Sequence, residues 1–241
     1  MAATLHALRV AALDPARLAG FWADLLGWRL AEVDGEPWAV PAGDGGFRMH
    51  FHTTAMPKSV ENLMHVDVTS ESLEDQAARV ARVLELGGSH YDVGQRGDEG
   101  HVVVADPEAN AFCIVGPGNA FLAGTGLVGA LSSDGTPEVG RFWSAALGWP
   151  LVWDQDDETA IQSPDGGPKI SWGGPPYASR AGADRWTYEL VTEDDLDTEV
   201  GRLVGLGGRS LPSGPGVRTL EDPDGNRFTL RADGSAGTPA P

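Results

Sequence analysis

The stretch MHVDV at 64–68 sets an imidazole, His65, two residues before a carboxylate, Asp67, and on a β-strand that spacing puts both on one face. Such a pair suits metal ligation by the ring and proton transfer by the carboxylate. Further imidazoles stand at His6 in LHALRV and at His50 and His52 in RMHFHTT, and the single cysteine, Cys113, lies in the apolar stretch AFCIV. The second group with chemical potential is aromatic. Trp153, Trp172, Tyr177, Trp186 and Tyr188 lie on or beside strand-like segments of the second half. Rings that offer a flat face and one polar tip are what a small-molecule groove uses.

Several chemistries have no residues to support them. The chain has no GxSxG nucleophile elbow, no HExxH and no phosphate loop, and Cys113 lacks the electropositive neighbours of a reactive thiolate. A formal charge of -18 would repel a phosphate backbone and an anionic bilayer, so neither nucleic acid nor membrane is an expected partner. The opening MAATLHALRVAALD is broken by Arg9 and Asp14 before a signal core is long enough. One cysteine allows no internal disulfide and fits a reducing compartment, so a cytoplasmic protein is expected, as a monomer or homodimer.

The elements that must carry these residues show themselves through an internal echo. FWADLLGW at 21–28 returns as FWSAALGW at 142–149, LELGG at 84–88 as LVGLGG at 203–208, and DPEANAF from Asp106 as DPDGNRF from Asp222. The repeat period of about 120 residues is that of a compact domain, so two tandem domains with two modest cores are expected, 1–118 and 122–232. A glycine-rich linker, GPGNAFLAGTG at 116–126, would join them, and residues 233–241 read as a flexible tail. Within each half the pattern is strand, helix, three strands, and then the same again. Asp14-Pro15 opens a helix with Leu18, Phe21, Trp22, Leu25 and Leu26 at helical intervals, and Gly27 closes it. A second helix is predicted to bury Leu73, Ala77, Val80 and Leu84, and GDGG at 43–46 marks a turn. Trp22, Trp143 and the glycines Gly27 and Gly148 read as core and cap residues.

A strand leading into DPxxLxxFWxxLLGW, a second strand carrying xHxD and a closing DPxGNxF resemble the vicinal-oxygen-chelate superfamily of glyoxalases, bleomycin-resistance proteins and extradiol dioxygenases. The resemblance covers residues 4–231 and is nearest to the tandem actinobacterial glyoxalase-like type. It implies an α+β fold, a pair of glyoxalase-like domains each built from two βαβββ units around a curved mixed sheet. It also implies a divalent-metal site fed by the first, fourth, fifth and eighth strands. By position those ligands would be His6, His50, His65 and Cys113, with Asp67 as the general base and Zn²⁺ or a similar ion as the metal. The corresponding positions of the second half, Leu127, Ser171, Tyr188 and Thr229, hold no usual ligands, so at most one ion per chain is expected, in the first half.

Two functions follow. The first is a binder of a flat or amphipathic metabolite or antibiotic without metal, with Trp153, Trp172, Trp186 and Tyr188 lining a groove in the second half. The alternative is a metal-dependent lyase, isomerase or dioxygenase with its site in the first half. The equal halves and the glycine-rich linker suggest that units pair in sequence order, one with two and three with four, which would bring the histidines and Cys113 into one cavity; pairing of unit one with unit four would instead set His6 and His50 against Tyr188 and Thr229.

Overall fold

The computed structural model describes residues 2–42, 47–59, 62–95, 99–175, 177 and 185–234, and all structural statements below concern these. The turn expected at 43–46 and the tail from residue 235 onward lie outside them.

The strand, helix, three-strand rhythm appears four times. Unit one runs β1 (Thr4–Ala12), α1 (Pro15–Leu26), β2 (Arg29–Val33), β3 (Glu36–Val40) and β4 (Arg48–Thr53). Unit two follows as β5 (Met64–Thr69), α2 (Leu73–Glu85), β6 (Ser89–His90), β7 (His101–Ala105) and β8 (Ala111–Val115). The third comprises β9 (Val128–Asp134), α3 (Pro137–Leu147), β10 (Leu151–Gln155), β11 (Glu158–Gln162) and β12 (Lys169–Gly173). Unit four is β13 (Trp186–Thr192), α4 (Leu196–Gly205), β14 (Arg209–Leu211), β15 (Val217–Glu221) and β16 (Arg227–Ala232).

Local signals account for the first helix of each half. Asp14 accepts a hydrogen bond from the Arg17 backbone N–H, Pro15 occupies the first turn, and Gly27 closes the helix at φ 65°, which a residue with a Cβ adopts only at a cost. Gly148 does the same for α3 at φ 68°. The second helix departs from its expected face. Only Val83 is buried in α2, while Leu73 is 72 % and Leu84 42 % exposed. Ser72 caps that helix, and its packed stripe runs through Val80, Val83 and Leu86 instead.

The four units make two eight-stranded mixed sheets, and here the sequence-order pairing is overturned. One sheet runs β14-β15-β16-β13-β1-β4-β3-β2, joining unit four to unit one; the other runs β10-β11-β12-β9-β5-β8-β7-β6, joining three to two. Each seam is antiparallel, β1 on β13 and β5 on β9, with a bulge at His6 in the first. The linker explains the second seam. It leaves β8, passes β5, where the Thr69 N–H donates to the Leu127 carbonyl, and enters β9 on β5's open edge.

The two sheets share one core rather than two, with residues of all four units in a single apolar cluster. The repeated Trp and the repeated Asp are its rivets. Trp22 Nε1 donates to Asp106 Oδ2 at 3.2 Å and Trp143 Nε1 to Asp222 Oδ2 at 3.1 Å, linking the units of each half across the sheets. Trp22 also packs on Phe112 and Trp186, and Trp143 on Tyr188 and Phe228. Burial raises the pKa of both aspartates, and the bonds from Asn110 and Asn226 and from the indoles oppose that shift.

Candidate functional site

Strand alternation leaves each sheet a second face, turned away from the shared core. In the sheet of units two and three the registers set His65 opposite Ser132, Ser132 beside Ser171, and Asp67 beside Cys113. In the sheet of units one and four the same places are held by Thr187 opposite Arg9, Arg9 beside His50, and Glu189 beside Thr229. Two serines thus correspond to an arginine and a histidine. One strand further out, Ala160, beside Ser171, corresponds to Trp38, beside His50.

These exchanges decide which sheet has room. In the first, Trp38 stacks flat on His50 at 4.1 Å, and only a small space remains between Val33, Glu36, Trp38, His50, Glu189 and Arg231. The Glu36 carboxylate accepts from His50 Nε2–H at 2.6 Å, while Arg9 and Arg231 approach Glu189 at 3.4 and 3.5 Å. Burial lowers the pKa of His6 and His52 to about 4 and of His50 to about 3, with nearby arginines adding to the shift. Burial also raises the pKa of Glu189, against the pull of Arg231 and Arg9.

In the other sheet the small side chains leave an open groove of about 260 Å³. His65, Ser132 and Ser171 line it, Phe121 and Trp153 meet edge to face at 6.2 Å along it, and Asp134 and Glu158 stand at one end. Ser132 donates to Asp67 at 2.6 Å and shares a 3.1 Å contact with the Ser171 hydroxyl. His65 Nε2 lies 3.4 Å from Asp67. Burial alone would lower the His65 pKa, but hydrogen bonds to Asp67 and Cys113 outweigh it and push the value up to about 10. One donor atom each from His65, Asp67 and Cys113 falls within a 4.8 Å span, so these three could hold a divalent ion.

A model of the glyoxalase-like domain matches residues 7–115 and again 130–231. The chain belongs to the glyoxalase-like domain family. This glyoxalase-like protein has the fold of glyoxalase I from Zea mays, at TM-score 0.64 and 15% identity over 95% of this chain and 92% of that one. A candidate dioxygenase from Bacillus subtilis subsp. subtilis str. 168 is similar at TM-score 0.62 and 15% identity, covering 97% and 86%. No curated protein matches it in sequence.

The glyoxalase-like chain does not assemble the four ligands expected from resemblance. His6 and His50 lie in one sheet, His65 and Cys113 in the other, because units one and two are not sheet partners. Asp67 does sit beside His65 and Cys113. Of the four aromatics expected in a groove, only Trp153 is partly open, at 36 %. Trp172, Trp186 and Tyr188 are corrected to core: each is at most 5 % exposed and belongs to the shared apolar cluster. The reason is parity, since Trp186 and Tyr188 pair with Val10 and Leu8 on the core-facing side of β1, and Glu189 takes the other face. Phe121, Ser132 and Glu189 were passed over. A lone glutamate inside the apolar WTYELV was the available signal for the last; Phe121 sits in a loop with none.

Proposed function

We propose that this protein binds a flat or amphipathic small molecule in the groove of units two and three. The observation that carries the reading is the asymmetry of the two sheets. The same four-strand scaffold is plugged by Trp38, Arg9 and His50 on one side and left open by Ala160, Ser132 and Ser171 on the other, with Trp153 and Phe121 available beside the opening. A ring laid against these two aromatics would gain roughly 0.5–1.5 kcal/mol per aromatic contact beyond the apolar area it buries. The serine hydroxyls, already chained to Asp67, and the His65 ring offer polar atoms to fix its orientation. A screen of flat metabolites followed by tryptophan fluorescence tests this: hits should quench, and Trp153→Ala should weaken them. Hits that bind equally to Trp153→Ala would place the ligand elsewhere.

A second reading, a metal-dependent lyase, isomerase or dioxygenase, rests on the grouping of His65, Asp67 and Cys113. Imidazole, carboxylate and thiolate suit Zn²⁺ or a similar borderline ion, and three protein ligands leave a position open toward the groove. There such an ion would act as a Lewis acid on a substrate oxygen. In this reading Asp67 is a ligand, so the base role expected of it passes to another group. Elemental analysis of protein purified without chelators separates the readings. One equivalent of metal, lost in Cys113→Ser and His65→Gln but kept in His50→Gln, supports the second; no metal after reconstitution leaves the binder.

A further inference from the structure

The two ends of the open groove differ chemically, and the difference specifies what fits. At the linker end the face of the sheet turned away from the shared core is covered: Val115, Leu122 and Ala130 form a buried apolar cluster with Phe121 and Cys113 packed on it. Two steps along β9 lies Ser132, and two steps further Asp134, both on the Ala130 side of the strand. On β11, Glu158 shares a face with Ala160 and borders the same end. Alternate residues of a strand are about 7 Å apart, so an aromatic ring held at Phe121 and Trp153 would have a carboxylate within one such step.

The cations beside the groove are engaged by groups of the protein itself, whereas one carboxylate of its lining is not. His65 is paired with Asp67, and Lys169 donates to the Phe121 carbonyl while lying 4.8 Å over the Phe121 ring. Glu158 lines the groove exposed to solvent, and its side chain makes no hydrogen bond or ion pair among the described residues. The plugged sheet has Arg9 and Arg231, both beside Glu189, where this one has Ser132 and Val115. We infer that the groove selects an amphipathic cation, a flat aromatic or heteroaromatic body bearing an amine or amidine about one strand step away, with Glu158 receiving the charge. This rests on the small-molecule reading of the groove and adds the ligand's sign and layout. The aromatic pair offers contacts common to any ring; the Glu158 carboxylate discriminates among rings by charge, and an exposed carboxylate does so more strongly at low salt.

Three isosteric probes test the inference by titration calorimetry in 50 mM salt: 1-naphthylmethylamine, 1-naphthalenemethanol and 1-naphthoate. The amine should bind about two- to fivefold more tightly than the alcohol and the naphthoate weakest, as expected for partly exposed charge pairs. Glu158→Gln, a surface change that should leave the melting temperature alone, should erase most of the amine's advantage while leaving the alcohol unchanged. Trp153→Ala should weaken all three alike. Equal binding of the amine and the alcohol, a preference for naphthoate, or an amine preference that survives Glu158→Gln would overturn the charge assignment with the groove reading intact. Failure of all three probes to bind, or binding indifferent to Trp153→Ala, would remove both.

Discussion

Trp153 and Trp172 show how one residue type takes opposite roles a few strands apart. Trp153 stands on edge strand β10, partly open beside Phe121. Trp172 is 1 % exposed on the core side of β12, where a methyl group at Gly135 would come within 2.7 Å of its ring. Trp153→Ala should therefore cost ligand affinity, roughly 1–3 kcal/mol, with little change in melting temperature. Trp172→Ala should do the reverse, losing roughly 3–5 kcal/mol of stability by opening a cavity. Paired calorimetric melts and binding titrations of the two variants check this, and a stable Trp172→Ala with weakened binding would reverse the assignment. Trp22 belongs to the same scale. Trp22→Phe keeps most of the packing but takes the indole donor from buried Asp106, and a loss of about 1–3 kcal/mol in denaturant melts is expected from the weakened carboxylate.

At the level of elements, α3 carries a glycine whose removal should run against the usual trend. Replacing a mid-helix glycine by alanine ordinarily stabilises by about 0.5–1 kcal/mol. Gly140, however, lies against β11, and an added Cβ would fall 2.0 Å from Thr159 Oγ1 and 2.5 Å from its Cβ. Gly140→Ala should destabilise by roughly 1–3 kcal/mol, the range for overpacking a tight contact. Gly201 in α4 has nothing within 4 Å of the same added atom and is the control: Gly201→Ala should raise the melting temperature. If both variants melt alike, the helix-to-sheet contact is looser than it looks. The mistaken face of α2 is also an element-scale matter. Leu73, Ala77, Val80 and Leu84 make as good a helical stripe as Val80, Val83 and Leu86, and only the packing against β7 and β8 chooses between them.

For the whole molecule, the crossed pairing of units predicts that neither half is self-sufficient. Residues 1–118 alone would bare the β1 edge that meets β13 and the β5 edge that meets β9. Unpaired edges of this kind associate. Light scattering on the isolated half should show a self-associated or unfolded chain, and a native-like monomer would contradict the seams. The buried charge of the plugged sheet sets the pH response. The pKa values of His6 and His50 are held at about 4 and about 3, below their ordinary 6.5, among Arg9, Arg48, Glu36, Glu189 and Arg231. The unfolded chain then takes up protons that the folded chain refuses. Their contribution to stability is full above about pH 6.5 and falls as the pH drops toward 4 and 3, at up to about 1.4 kcal/mol per pH unit for each ring. Denaturant melts at pH 7 and 4.5 should show this loss, and His50→Gln should lessen it, with His6 and His52 carrying the remainder. No described helix is long and apolar enough to cross a membrane.

The sequence by itself determined the four-unit rhythm, the caps at Asp14 and Gly27, and the family, because each is written in neighbouring residues or in a repeat that can be laid on itself. It also set His65 and Asp67 on one strand face, since a spacing of two has no other reading in β structure. Tertiary structure alone decided which strand edges meet, and so that His6 and His65 are separated and that Ser132 and Ser171 join His65 and Cys113. Pairing depends on where a loop delivers the next strand and on which apolar faces close over each other, and four similar units satisfy those demands in more than one order. For the same reason the sequence pattern points Tyr188 into a groove, whereas the structure turns it to the core and Glu189 to the other face. On a strand buried on both faces, burial no longer alternates, and only the register against β1 shows which residue looks into the core and which into the cavity.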